Sequence, residues 1–138
     1  MMRVRRFIPE QDYPVIETWW AKRGTTPPNP VFLPPVGIVC EVAGTPAACA
    51  WLYNADDNLL GIVEWVATNP VLARKDTAAA VEHILNFFED YCLKHNMRGF
   101  FSWVKPASGL RRLYEKRGWV SAQGEAHELM AFTIKEGA

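Results

Sequence analysis

Residues 36–42, 47–53 and 59–68 are three apolar runs that follow one another with only AGTP and NADDN between them. Both separators are strong turn signals, because Gly, Asn, Asp and Pro supply the backbone angles that a chain reversal needs. The three runs therefore predict consecutive strands of an antiparallel meander. Such a sheet needs helices to cover it, and residues 76–96 supply the clearest one: Val81, Ile84, Leu85, Phe88 and Cys92 recur at helical spacing with charged or polar residues between them.

The flanking segments extend this pattern. Residues 3–8 alternate basic with apolar or aromatic side chains, which predicts a strand with one solvent face, ended by Pro9. Residues 10–23 then read as a helix, with Pro14 in its first turn, an apolar stripe of Val15, Ile16, Trp19 and Trp20, and Gly24 as its stop. Residues 25–35 hold five prolines and predict a stiff, ordered loop in which Val31, Phe32 and Leu33 are covered. Loops of this length in compact domains are often functional.

Beyond the long helix, GFFSWV at 99–104 predicts another strand, and Pro106 breaks it. Ser108 is placed to cap a short helix ending at Arg117, and Gly118 to take the left-handed position after it. Trp119 opens a further strand, and residues 127–134 supply the last. The order β, α, β, β, β, α, β, α, β, β predicts an α/β (α+β) fold, with a mixed and mostly antiparallel central sheet flanked by helices, as a single domain over 1–138.

Charge and cysteine content narrow the functional classes. Lysine plus arginine equals aspartate plus glutamate at 15 each, so the molecule lacks the positive field that gathers nucleic acid. The basic runs Arg3, Arg5, Arg6 and Arg111, Arg112, Lys116, Arg117 read as solvated faces. Cys40, Cys49 and Cys92 cannot all pair and show no CxxC spacing, which fits a reduced setting. No apolar run is long enough to span a bilayer and the first residues lack a signal-peptide core, so a cytoplasmic protein is the expectation, without a membrane partner.

The order of elements, together with LYEKRGW near the C-terminus and NPVLARKDTAAA before the long helix, resembles the GNAT (acyl-CoA N-acyltransferase) superfamily over essentially the whole chain. Short GNAT-like proteins of bacteriophage genomes are similar in IVEWVATNP and a glycine-poor helix start. The resemblance implies acetyl-CoA (coenzyme A) as co-substrate, with its pyrophosphate held by amides at the start of the long helix. The family pattern there is Arg or Gln, two residues, Gly, one residue, then Gly or Ala. It falls on Ala73, Asp76 and Ala78, of which Ala78 conforms. Arg74 and Lys75 restore positive charge, and a one-residue slip seats Arg74, Thr77 and Ala79 in the pattern. The alternative is that Asp76 or Thr77 serves only as the helix cap.

The same resemblance implies roles for further residues. Tyr114 matches the tyrosine assigned as general acid to the departing thiolate; the plain alternative is a helix tyrosine packing its ring. Glu64, inside the apolar GIVEWVA run, is the leading general base, its alternative being an ion pair with Arg5 or Arg98. His127 is a second candidate base, or a partly exposed strand histidine. Backbone amides of Trp65, Val66 and Ala67 would contact pantetheine if the strand parts from its neighbour. Trp19, Trp20, Phe32 and Trp51 would line an acceptor pocket, or are core. No metal is implied. The function so read is direct acetyl transfer to an amine of a small molecule or protein, with a GNAT-shaped binding module acting through a protein partner as the alternative.

Overall fold

A computed structural model describes residues 1–55 and 59–121. Five strands form one sheet in the order β1-β2-β3-β4-β5: β1 Met2–Arg6, β2 Val36–Val42, β3 Thr45–Ala55, β4 Leu60–Thr68 and β5 Gly99–Phe101. The first four pair antiparallel, and β5 joins β4 in parallel. Three helices accompany them: α1 Pro9–Lys22, α2 Arg74–Lys94 and α3 Gly109–Lys116. The mixed, mostly antiparallel sheet with helices is the predicted class. The chain divides into two compact units, Met1–Trp103 and Val104–Ala138.

Alternation along the strands sorts the first unit's core into two faces. Val39, Cys49, Trp51 and Ala67 meet Ile16 and Trp19 of α1, with Phe7, Tyr13, Trp20, Leu33 and Trp65 packed around them. The intervening residues Ile38, Cys40, Ala48, Ala50, Leu52 and Val63 are also buried. They form the face for α2, which packs on β2 and β3 and buries Ala80, Val81, Ile84, Leu85 and Phe88. The β2–β3 hairpin turns on Ala43 and Gly44, whose φ values of 50° and 83° match a two-residue turn with left-handed residues at both positions.

Several local expectations change. Helix α1 begins at Pro9, so Pro14 lies inside the helix beyond its first turn. Asp12 then replaces Val15 in the buried stripe, and Val15 is exposed because it points away from Ile16 and Trp19. Arg5 is not a solvated residue of β1. Its guanidinium donates to both carboxylate oxygens of Asp12, at 2.8 and 2.9 Å, and also approaches Glu41 at 3.4 Å. The Asp12 carboxylate additionally accepts from the Ile8 amide at 2.7 Å, capping the helix from within. In the loop, Val31 is 73% exposed rather than covered.

The second unit contains α3. Ser108 caps it by accepting from the Arg111 amide at 3.1 Å, and Gly118 follows with φ of 90°. The Tyr114 and Trp119 rings stack with centroids 3.9 Å apart. Residues 119–121 are not in a strand, and the strand expected at 127–134, with His127, lies outside the described residues.

The Arg5–Asp12 pair generates a prediction. Burial alone raises the Asp12 pKa, but the Arg5 hydrogen bonds and the Ile8 amide outweigh it and leave the carboxyl below its ordinary value. The stabilisation is therefore present above the unfolded-state pKa of about 4 and is lost as pH falls through the depressed folded value. Asp12→Asn is expected to lower stability at neutral pH by about 3 kcal/mol, since one partner of a buried pair is removed. Urea melts at several pH values should show the gap between variant and parent closing below about pH 4; a pH-independent gap would sink the assignment.

Candidate functional site

The register between β3 and β4 slips by one residue: Trp51 lies opposite Glu64 and Cys49 opposite Ala67. Two steps on β3 thus face three on β4, a β-bulge, and Trp65 within it adopts φ of 57°. Ordinary alternation would send Glu64 and Trp65 to opposite faces. With the extra residue, Glu64, Trp65 and Ala67 all turn to the α1 face, because their partners Trp51 and Cys49 and the core around Trp65 belong to it.

On its other side β4 loses its neighbour. The parallel ladder to β5 covers only Leu60–Gly99, Gly61–Phe100 and Ile62–Phe101, while β4 continues to Thr68. Among the described residues the β5-facing edge of β4 has no strand partner from Val63 onward, so the bulge sits beside an opening in the sheet.

Glu64 is half-buried and forms no ion pair with a cation among the described residues. Arg5 is committed to Asp12 and Glu41, and Arg98 is exposed, so the ion-pair alternative does not hold. Burial pushes the Glu64 pKa up from the ordinary carboxylate value, and the backbone N–H of Trp103 offsets part of the rise. Tyr53, two residues beyond Trp51 on the same face, stands close enough for Glu64 to contribute to raising its phenol pKa, after the larger effect of burial.

Tyr53 also ties the proline-rich segment to this face. Its hydroxyl donates to the Phe32 carbonyl at 2.5 Å and accepts from the Trp65 indole N–H at 2.6 Å. Tyr13 holds the same segment by donating to the Pro28 carbonyl at 2.9 Å. A cleft of about 320 Å³ lies between this segment, β1 and α1, lined by Arg6, Phe7, Tyr13, Leu33, Pro35 and Trp51. Trp51 is the member of the predicted aromatic set that lines it. Trp19 is buried in the core, Trp20 packs against the core, and Phe32 is partly exposed. Gly37 is required beneath Trp51, since a Cβ there would fall 2.4 Å from the indole nitrogen.

At the end of β4, Asn69 shapes the approach to α2: its side chain donates to the Pro46 carbonyl and accepts from the Val71 amide, both at 3.0 Å. Ala73 is the N-cap of α2, without a side-chain hydrogen bond. Neither Asp76 nor Thr77 caps the helix. Asp76 is its third residue, half-buried, and the Thr77 hydroxyl turns back to the Arg74 carbonyl at 3.1 Å. The helix therefore starts two residues earlier than its apolar period suggests. Among the described residues no acceptor takes the amides of Arg74 and Lys75. Ala78 is exposed and Ala79 half-buried on the following turn. Arg23 donates to the carbonyl and hydroxyl of Thr68, tying the end of α1 to the end of β4. Tyr114 is buried in the second unit.

Sequence reasoning missed Tyr53 and Trp103. Strand alternation was the available signal, since Tyr53 shares the parity of Trp51, and Trp103 that of Phe101.

Among solved structures the fold is similar to that of ribosomal-protein-alanine N-acetyltransferase from Brucella melitensis biovar Abortus 2308, with a TM-score of 0.68 and 12% identity over 97% of this chain and 99% of that one. It is similar to AAC(6')-Iy, solved in complex with the bisubstrate analogue CoA-S-monomethyl-acetylneamine, with a TM-score of 0.67 and 10% identity over 96% and 99% of the two chains. N-acetylglutamate synthase from Neisseria gonorrhoeae, complexed with coenzyme A and N-acetylglutamate, gives a TM-score of 0.62 at 15% identity; the match covers 85% of this chain and 28% of that one. No protein-family model and no curated protein sequence matches the chain. At these identities the likeness shows the fold, which is that of the acetyltransferases.

The Tyr53 contacts carry a second prediction. Tyr53→Phe removes the donor to Phe32 and strands the Trp65 indole N–H, which is expected to cost about 1–3 kcal/mol. Amide exchange over residues 25–35 should quicken more than exchange in α2. Equal exchange in parent and variant would show that the hydroxyl does not anchor the loop.

Proposed function

We propose that this chain is an acetyl-CoA-dependent N-acetyltransferase that moves the acetyl group directly to an amine of a small molecule or protein. The observation that carries the reading is the bulged β4, which parts from β5 after Ile62, turns Glu64 to the α1 face and leads into a helix with open amides. Acetyl-CoA supplies an activated thioester, so the chain's own groups need only bind, orient and move protons.

The residues at the start of α2 fit a diphosphate in part. The amides of Arg74 and Lys75, their side-chain charges and the positive end of the helix favour an anion. The Asp76 carboxylate opposes it. Thr77, Ala78 and Ala79 complete the turn, and the strandless edge at Trp65, Val66 and Ala67 offers backbone groups to the pantetheine arm.

Glu64 takes the role of general base. The amine nitrogen bonds to the acetyl carbon, its proton passes to the carboxylate, and the carbon–sulfur bond breaks. Tyr114, on the family resemblance alone, is the donor that protonates the leaving thiolate. Direct transfer agrees with the cysteines, since Cys40, Cys49 and Cys92 are all buried and burial pushes each thiol pKa up, away from a nucleophilic thiolate.

Half-buried Asp76 supports a second reading, a binding module of the same fold that does not turn over. Thermal melting separates the two. At acetyl-CoA near 100 times its dissociation constant, the transferase reading expects stabilisation of about 2.7 kcal/mol; no shift at millimolar acetyl-CoA would favour the module.

The base assignment has its own test. Because the Glu64 pKa is raised, its basic form accumulates at higher pH than an ordinary carboxylate's, and kcat/KM should climb as pH rises through that value. Glu64→Gln is expected to lower kcat/KM by about 10²-fold or more and to abolish that limb, leaving acetyl-CoA binding intact. A retained limb would remove Glu64 from the role.

A further inference from the structure

We propose that the acceptor is a primary amine borne on an apolar or aromatic body without an anionic group close to the nitrogen, and that Glu64 draws its ammonium form to an aromatic-flanked position on β4. This deepens the transferase reading and rests on it for the chemistry, but not for the binding.

Three observations carry it. The first is the company Glu64 keeps. Tyr53 on β3 stands beside it and Trp65 follows it on β4, the indole N–H donating to the Tyr53 hydroxyl at 2.6 Å. On the β5 side the Trp103 amide approaches the carboxylate, and the Trp103 ring meets Phe101 edge to face at 5.5 Å. Aromatic faces attract a cation and tolerate a hydrocarbon body, and they offer nothing to a phosphate or carboxylate.

The second observation is where the neighbouring cations are. Arg5 lies on the α1 face but on β1, three strands from β4, and Asp12 and Glu41 occupy it. Arg23 is engaged by Thr68. An acceptor with an acid group beside its amine would meet the Glu64 charge without a compensating partner from either arginine.

The third is exposure. Phe101 and Trp103 are 42% and 41% exposed, although both are large apolar residues. Phe101 ends the β4–β5 ladder and Trp103 lies two residues beyond it, so apolar surface is presented beside Glu64 where the pairing stops. The bound ammonium gives its first proton to Glu64, which releases it to solvent and is then ready to take the second as the nitrogen bonds to the acetyl carbon, so one group both selects and activates the amine.

The test measures amine binding to the full chain by titration calorimetry in the absence of acetyl-CoA. The probes are phenethylamine, phenylalanine, which adds a carboxylate to the same body, and glucosamine 6-phosphate. Phenethylamine is expected to bind, with phenylalanine and glucosamine 6-phosphate each weaker by about tenfold or more. Glu64→Gln should weaken phenethylamine by a similar factor, and Trp103→Ala, at an exposed site, should weaken it while the protein stays folded by circular dichroism.

Equal or tighter binding of either anionic probe overturns the proposal, as does phenethylamine binding that ignores both substitutions or is absent at millimolar concentration. Acetyl-CoA melting is run separately. Glu64-dependent phenethylamine binding without an acetyl-CoA shift supports this proposal and sinks the transferase reading. An acetyl-CoA shift with a preference for phenylalanine does the reverse.

Discussion

The single extra residue in β4 is the constraint from which the site follows. A regular strand shows one side chain in two to each face, so an apolar core strand can present a polar group to the core side only by giving up packing there. The bulge at Trp65 relaxes that rule. Glu64 faces α1 while Trp65 and Ala67 still pack against the α1 core. The same distortion adds twist to β4, and a strand that twists more steeply than its neighbour is poorly matched to long pairing. The three-residue ladder to β5 is consistent with that mismatch.

The two buried or half-buried carboxylates on the α1 side illustrate how position sets chemistry. Asp12 has a bidentate arginine and a backbone amide, and its pKa is lowered. Among the described residues Glu64 has no cation partner, and its pKa is raised. Groups of one chemical type driven in opposite directions divide structural from reactive roles. Arg5 belongs to the first role so completely that it is unavailable to the second.

Much of the fold was legible because its signals are local. The meander, the apolar period of α2, the Ser108 cap and the left-handed Gly118 each depend on a few adjacent residues, and all appear in the structure. Glu64 was legible as an anomaly, a charge inside an apolar run. The bulge was not, because Trp65 takes a positive φ that its residue type does not advertise. The partners of Asp12 and Tyr53 come from other elements, so no window along the chain contains them. Pro14 misled because a proline reads as a helix start, whereas Pro9 had already opened α1.

The start of α2 shows how a local rule can point the wrong way about charge. An acidic residue in a helix's first turn stabilises the helix, and Asp76 at the third position does so whether or not a ligand exists. For a diphosphate the same carboxylate is a competitor for the same field. The helix nevertheless begins at Arg74, two residues before the point its apolar period implies, and this places two open amides and two cationic residues ahead of Asp76. The earlier start, more than the identity of any one residue in the motif, sets the balance of charge at this helix end.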